Sequence, residues 1–557
     1  MSIHPPTIPV PWGRHPQGQA NLGITRYATP RRLGTWRSIA ITLAAGSTLL
    51  QLLLFFDLDN LGTSLLLVLG NLLGFGYGLR QSLLKEHPIS ALMILGYTIS
   101  YFSLPPIGQI MGFNPVTLNL DYPLIDVNYA LIGLLAIIAG HVLYHRSVVL
   151  GLIRNTMRTQ FYQKIGFFRE PRIAQLWILG FSGALGLLLS RPNTLEDRSV
   201  IEALMMGFRP FVYLPYLILL QRAWTERKNV SGIHLALLWP YTAMLLILSF
   251  IANSRAYLLV GFASLGIIYI YMVLVGRVPV PKVRMRSLAL AIVAITLVTG
   301  PIARLSMSMV LVRGDRHDLS PAQLMSATWN TFLHEDVTAR YADFWALYSE
   351  NPDTRENYFD NLFLNRLGNL RFVDLAVTNS QRLGPGGAER FAEAEAYKVA
   401  SILPAPLLQV ILPDVDKRWY TSGSSGDFLL YEATGNSRVI GGYRTGSLLV
   451  NLNLTFGIFW PLVLALLAAA LFAVVDALCK PERTGIDGRP WVRFNPLVVG
   501  SLFTYTFMLT SAATGTDGLV GLVQPVLRGW IQIGVLYAVA FHASRLLTLV
   551  ARRRSRP

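Results

Sequence analysis

The chain has a single cysteine, Cys479, and very little charge. One thiol excludes an intrachain disulfide and a cysteine-built metal site. Only 14% of the 557 residues are charged, against 52% hydrophobic. A soluble protein of this length needs far more charge on its surface. Motifs of soluble enzymes are missing too. There is no phosphate-binding glycine loop, no His-Glu-x-x-His and no Gly-x-Ser-x-Gly elbow. The nine histidines are scattered, so neither a metal site nor a cofactor is expected. No internal repeat is visible, which argues against the two similar halves usual in transporters. Residues 1–36 are polar and contain no cleavable signal peptide pattern, so the first apolar run is expected to act as its own signal.

What the chain does have is long uncharged runs. Twelve have the length needed to cross a hydrocarbon core of about 30 Å: 38–56, 61–79, 89–105, 124–144, 173–190, 200–221, 232–252, 256–275, 287–309, 446–478, 494–513 and 520–547. The tenth exceeds one crossing, and its first part is expected along the interface. With the N-terminus inside, the inner segments hold 29 Lys and Arg, and the short outer loops hold three: Arg191, Arg198 and Arg255. That asymmetry predicts cytoplasmic termini, with the long loop 313–445 outside; the inner membrane of a bacterium fits this multi-pass topology, and a eukaryotic membrane is not excluded by it. The predicted fold is an all-α integral membrane protein of about 12 transmembrane helices with a helical extracytoplasmic cap. Its parts are an N-terminal tail (1–37), nine helices (38–312), the cap loop (313–445), three helices (446–547) and a basic tail (548–557). The cap loop carries 13 Lys/Arg and 17 Asp/Glu, so the net charge of +17 resides elsewhere. It reads as topology signal and attraction to anionic lipid, with the bilayer as partner and no nucleic acid.

The cap loop is rich in aromatics. Residues 336–351 put Val337, Tyr341, Phe344 and Tyr348 at helical spacing, and 387–403 predict a second helix with Phe391, Ala394 and Val399 near one face, ended by Pro404 and Pro406. Residues 423–436 read as a flexible turn before the return to the membrane. Trp329, Tyr341, Trp345, Trp419, Tyr420 and Tyr431 serve either to pack the cap and line the interface or to stack on sugar rings.

Arginine is the informative residue. Arg209 falls within the sixth run, and Glu202, seven residues earlier, lies on nearly the same helix face. Arg255 opens the eighth run, Arg304 is near the outer end of the ninth, Arg438 and Arg444 precede the tenth, and Arg528 is near the outer end of the twelfth. Intramembrane cations are costly, and an arginine fork matches phosphate oxygens at any pH. A lipid-linked diphosphate would place its head at this depth. The competing reading is snorkelling to the headgroups. Bases near this face are His334, Glu335, Asp336 and Glu432.

Three stretches carry a resemblance. "NSRAYLLVGFASLGI" (253–267) resembles the Ser-Arg start of a span in bacterial O-antigen ligases and polymerases. "ILPAPLLQVILPDVDKRWY" (402–420) resembles the Pro-Asp-x-x-Lys segment of the long periplasmic loop in Wzy-type exopolysaccharide repeat-unit polymerases. "VIGGYRTGSLLVNLNLTFGIFWP" (439–461) resembles their glycine-rich return to the membrane. The resemblance implies a metal-independent glycosyltransferase of the C-type class. It would join undecaprenyl-diphosphate-linked oligosaccharide repeat units into an exopolysaccharide or O-antigen. A chain-length regulator and a flippase of the same pathway would be its partners. The position carried over is Arg255. With it, His334 (from the ligase branch) and Glu432 are the catalytic candidates, and Arg209, Arg304, Arg438 and Arg444 the diphosphate-binding ones. An O-antigen-type ligase and, from a different class, a lipid-linked oligosaccharide flippase are the alternatives.

Overall fold

The computed structural model describes residues 31–189, 205, 207–220, 231–251, 256–278, 296, 298–312, 319, 321–334, 336–337, 339–340, 358–359, 365, 368–482, 491–511 and 516–554. The chain is mostly helical. Seven helices are long and apolar enough to cross a membrane: Gly34–Leu54, Leu58–Gly78, Pro88–Met111, Pro123–Arg146, Gly232–Ser249, Leu448–Ala477 and Leu519–Val550. Three shorter apolar helices join them: Ile173–Leu189, Arg209–Leu220 and Leu259–Leu274. Leucines such as Leu43, Leu53, Leu135 and Leu185 are exposed on these helices, while Leu67, Ile94, Leu134 and Leu464 pack inside. That inside-out pattern defines a multi-pass membrane protein with lipid-facing helices.

Several predicted spans take a different form. Residues 494–513 are not one helix. Within them Pro496–Gly500 and Leu502–Thr506 are separate five-residue helices broken at Ser501. Pro496 opens the first, and Leu497, Val498 and Val499 are fully buried, so the segment is a core plug rather than a lipid-exposed rod. The sixth run is described continuously from residue 207, and from Arg209 it forms a 3-10 helix, Arg209–Leu220, with Pro215 inside. A proline there removes an α-helical hydrogen bond. The helix Ile173–Leu189 accepts this irregular neighbour by a glycine stripe. A Cβ on Gly183 would lie 2.2 Å from the Val212 nitrogen. Most of the first part of the ninth run lies outside the described residues, which run continuously from Val298 as a π-helical turn, Val298–Ile302, with Pro301 inside, into the Ala303–Leu311 helix. The long tenth run breaks at Gly457, whose φ of +54° suits glycine, dividing Leu448–Phe456 from Trp460–Ala477. Behind it, Cys479–Glu482 and Trp491–Phe494 pair as an antiparallel hairpin, with Cys479 opposite Phe494. Apart from this pair of short strands the described elements are helical, in keeping with the all-α class expected from the sequence.

The segment 368–447, between the membrane helices, is helical: Leu370–Gln381, Gly387–Ala400, Ala405–Ile411 and Ser425–Thr434 are its main elements. Residues 423–436 are not a flexible turn. Ser424 and Asp427 form a reciprocal capping box that starts the Ser425–Thr434 helix, and Gly435 closes it with φ +70°. This cap segment is bolted to the membrane helices. Asp374, fully buried, accepts the Asp121 and Tyr122 N–H groups at 2.7 and 2.9 Å. Arg371 joins Asp374 at 2.5 Å and the Asn119 carbonyl at 2.6 Å. Those bonds fix the Leu370–Gln381 helix over the turn that begins the Pro123–Arg146 helix.

At the opposite end, Asp476 does a similar job. Its Oδ1 accepts the N–H groups of Ile89 and Ser90 at 3.1 and 3.2 Å, capping the Pro88 helix from another chain segment. Its Oδ2 accepts the Ser90 hydroxyl at 2.7 Å and lies 3.5 Å from His87 Nδ1.

Candidate functional site

The resemblance-bearing segments 402–420 and 439–461 both reach the Ser425–Thr434 helix and its cap, the first through Tyr420 on Phe428, the second at Ser424–Asp427. The approach depends on two glycines. A Cβ on Gly426 would stand 2.7 Å from the Gly446 nitrogen, and one on Gly446 would stand 2.8 Å from the Gly426 nitrogen. Backbone meets backbone here, so any side chain would force the strands apart. Asp427, fully buried, gathers the return segment: its Oδ1 accepts the Arg444 N–H at 3.0 Å and its Oδ2 the Tyr443 N–H at 2.8 Å. The Ser424 hydroxyl donates to the Arg444 carbonyl at 2.6 Å. Arg444 is therefore held at its backbone. The residue is partly buried, and its guanidinium has no ion-pair partner among the described residues.

Beneath this crossing is a buried ionic group. Glu395 Oε2 accepts the Leu519 N–H at 3.0 Å, placing an anion at the start of the Leu519–Val550 helix. Its Oε1 accepts a short hydrogen bond from the Ser425 hydroxyl. Asp517 Oδ2 accepts the Gly426 N–H at 3.1 Å. Lys398 Nζ donates to the Gly423 carbonyl at 2.9 Å and sits 4.8 Å from the centre of the Phe428 ring. Burial pushes both carboxyls up from their ordinary values and the lysine down, and the lysine's charge opposes the rise of each acid. The predicted apolar face of this helix thus carries Glu395 and Lys398 beside Phe391 and Ala394; Val399 is only partly buried.

The other sequence candidates fall elsewhere. Arg255 and Glu202 lie outside the described residues, as do Tyr341 and Trp345. Arg209 donates to the Tyr257 hydroxyl at 2.9 Å and lies 5.7 Å from that ring's centre. Tyr257 is two residues past Arg255, so Arg209 does reach the helix that Arg255 precedes. Arg304 donates to the His334 carbonyl and covers Phe332. The two candidates come together through the His334 backbone, which leaves its imidazole exposed. Arg438 is exposed, and its N–H is taken by the Asn436 side chain at 3.0 Å. The second Asn-Ser-Arg is a local turn of asparagine on its own backbone. Glu432 is paired with Arg390 at 2.8 Å, so its carboxylate is engaged. Arg528 donates to the Ile402 carbonyl at 2.8 Å.

Of the aromatics, Trp419, Tyr420 and Tyr431 are packing residues. Trp419 meets Phe428 and Tyr431 edge-on, and Tyr420 stacks on Phe428. Trp329 is half exposed. The histidines are less scattered than the sequence implied. His87 lies 5.7 Å from His141 and 5.2 Å from His145, ring centre to ring centre. Glu86, His87 and His145 have ligand atoms within 4.8 Å of one another. Arg154 stands 3.1 Å from His87 Nδ1, and this resident cation opposes a metal's charge.

Sequence reasoning missed Glu395, Lys398, Asp427 and Asp517. Glu395 and Lys398 stand three apart, on the face of Phe391 and Ala394. That spacing was the available signal for the first two. Asp427 had the Ser-x-x-Asp spacing of a capping box with Ser424, and Asp517 had none. No family model matches the chain, and no curated protein or solved structure is similar to it.

Proposed function

We propose that the protein is a polymerase acting on the outer face of the bacterial inner membrane, with both termini cytoplasmic and the cap segment outside. It joins undecaprenyl-diphosphate-linked oligosaccharide repeat units. In the reaction, the bond from the donor's reducing-end sugar to the lipid diphosphate breaks, and a bond forms from that carbon to an acceptor hydroxyl. The departing diphosphate keeps the electron pair, and the hydroxyl loses its proton to a base. Cations that meet the growing negative charge lower the barrier. Arg444 and Arg255 serve this role, with Arg209 nearby through Tyr257 and Arg304 and Arg438 further along the same face. His334 is the base with a free ring; Glu432, held by Arg390, positions the Ser425–Thr434 helix. The chain crosses the membrane twelve times in this reading, and the broken, buried 494–511 segment is one of the crossings.

The observation that carries this reading is the glycine-backed crossing of Gly426 and Gly446. It offers the Arg444 guanidinium from a rigid backbone, and rigidity is what charge stabilisation requires. The test is a deletion strain examined for its lipid-linked glycans. Single repeat units accumulating outside support a polymerase. Units trapped inside sink it in favour of a flippase, and full-length polymer left on the lipid favours a ligase. Arg444→Ala and Arg255→Ala, at matched protein level, are expected to shorten or abolish polymer. Normal chain length in both would remove the assignment.

A further inference from the structure

The Ala405–Ile411 helix carries an apolar stripe that nothing among the described residues covers. Leu408 is buried at 1% exposure, and on the other side Leu407, Val410 and Ile411 stand at 54, 82 and 61%. Their spacing of three and one places them on a single face. Proline brackets the helix: Pro404 is its N-cap, Pro406 is in its first turn and Pro413 follows it. The position of this face relative to the bilayer follows from its neighbours. The chain just before it is tied to the Leu519–Val550 helix, because Arg528 donates to the Ile402 carbonyl at 2.8 Å. Lys417, just after it, donates to the next carbonyl, that of Leu403, at 2.5 Å.

Arg528 marks the edge of the hydrocarbon core. From Arg528 to Arg545 is 17 residues of one helix, which is about 26 Å at 1.5 Å per residue. That nearly matches a core of about 30 Å, so the two arginines bracket it. The lipid-facing residues next to Arg528, Leu527 at 55% and Ile531 at 41%, continue the apolar surface. On the adjoining helix, the exposed Ile458 and Phe459 continue that apolar surface just before the buried Trp460. The charges flanking the short helix are mixed: Lys417, Arg418 and Arg528 against Asp414 and Asp416. They favour the water–lipid boundary in general rather than one headgroup.

We infer that the Ala405–Ile411 helix is an interfacial anchor, lying in the membrane plane with Leu407, Val410 and Ile411 sunk into the leaflet on the cap's own side. Its occupant is lipid, because the chain entering the helix is tied at Ile402 to Arg528, whose neighbours Leu527 and Ile531 are exposed on a membrane helix. The cap segment is then held to the bilayer at a fixed depth. This holds whatever reaction the protein performs.

Single-cysteine labelling tests it, since the one native thiol, Cys479, is buried. Val410→Cys and the exposed control Glu389→Cys each receive a polarity-sensitive fluorophore in the full chain reconstituted in lipid nanodiscs. The label at 410 is expected to be quenched severalfold more by lipids carrying a spin label near the headgroup than the label at 389, and to resist aqueous iodide. Equal iodide quenching at both positions would place the helix in water and overturn the inference. Protection from both quenchers at 410 would mean a protein partner covers the face, which overturns it as well. Ile411→Cys, on the same stripe, must repeat the result.

Discussion

Replacing Lys398 by methionine tests whether the buried ionic group holds the cap segment to the membrane helices. Methionine keeps most of the side chain's length and its packing against Phe428 but removes the cation. Glu395 and Asp517, exposed by 1 and 9%, then share a buried space with no positive charge to offset them. Taking one partner from a buried ionic group costs about 3–5 kcal/mol. At about 1.4 kcal/mol per tenfold, the cap should open on the order of a hundredfold more often, or more. Limited proteolysis of the purified full chain reads that opening when cleavage is slow relative to closing. The pH dependence is a second, stricter readout. Both acids have folded pKa values raised by burial, so the folded state binds protons more tightly than the unfolded one. Their penalty is absent at low pH and grows as pH rises from the ordinary carboxylate range through the raised folded values. Without Lys398 those values climb further, so the variant's deficit should be large at pH 8 and shrink toward pH 5. The double variant Lys398→Met with Glu395→Gln should recover part of the loss. Unchanged cleavage in the single variant, or a deficit that grows on acidification, would refute the reasoning.

Two further outcomes follow from the same geometry. Gly446→Ala puts a methyl 2.8 Å from the Gly426 nitrogen, where only backbone can move; a loss of about 1–3 kcal/mol in thermal unfolding is expected, with Gly435→Ala, which has open space but positive φ, as the contrast for conformational strain alone. Asp476→Asn, at the other end of the bundle, removes the charge facing His87 and puts an amide donor where Oδ2 accepts the Ser90 and Tyr144 hydroxyls; it should cost about 3–5 kcal/mol, seen as a lowered unfolding midpoint in detergent with the cap's protease resistance retained.

What the sequence made readable was what depends on local composition. Apolar runs located the seven long helices within a few residues, because a 20-residue uncharged window has few other uses. The break in the tenth run was foreseeable from its length, and Gly457 supplied it. The irregular segments were not readable in this way. Residues 494–511 are as apolar as a span, yet Pro496 and the break at Ser501 make them a buried plug; hydropathy alone does not distinguish lipid from protein as the apolar neighbour. The turn at 423–436 misled for a different reason. Its Gly and Ser look like linker, but Ser424 and Asp427 at the capping-box spacing outweigh them once the Leu429–Leu430 pair has a core to enter.

The site candidates divide along the same line. Arginine can be picked from sequence because its cost in a membrane is independent of partners. Whether it is free depends on the partner, and partners lie far off in the chain. Arg304 meets a carbonyl 30 residues away, Arg209 a hydroxyl 48 away and Arg528 a carbonyl 126 away. Arg444 is different, because what is fixed is its backbone, by Asp427 and Ser424, and what is left over is its charge. The ionic group below it escaped notice for the converse reason: Glu395 and Lys398 resemble a solvated charge run until Asp517, more than a hundred residues on, closes over them. A guanidinium held by its backbone, above a group of charges already matched among themselves, has its attraction left to spend on an anion from outside the chain. That makes Arg444, rather than the partnered arginines around it, the position where a charge-removing substitution should cost function with little cost in stability.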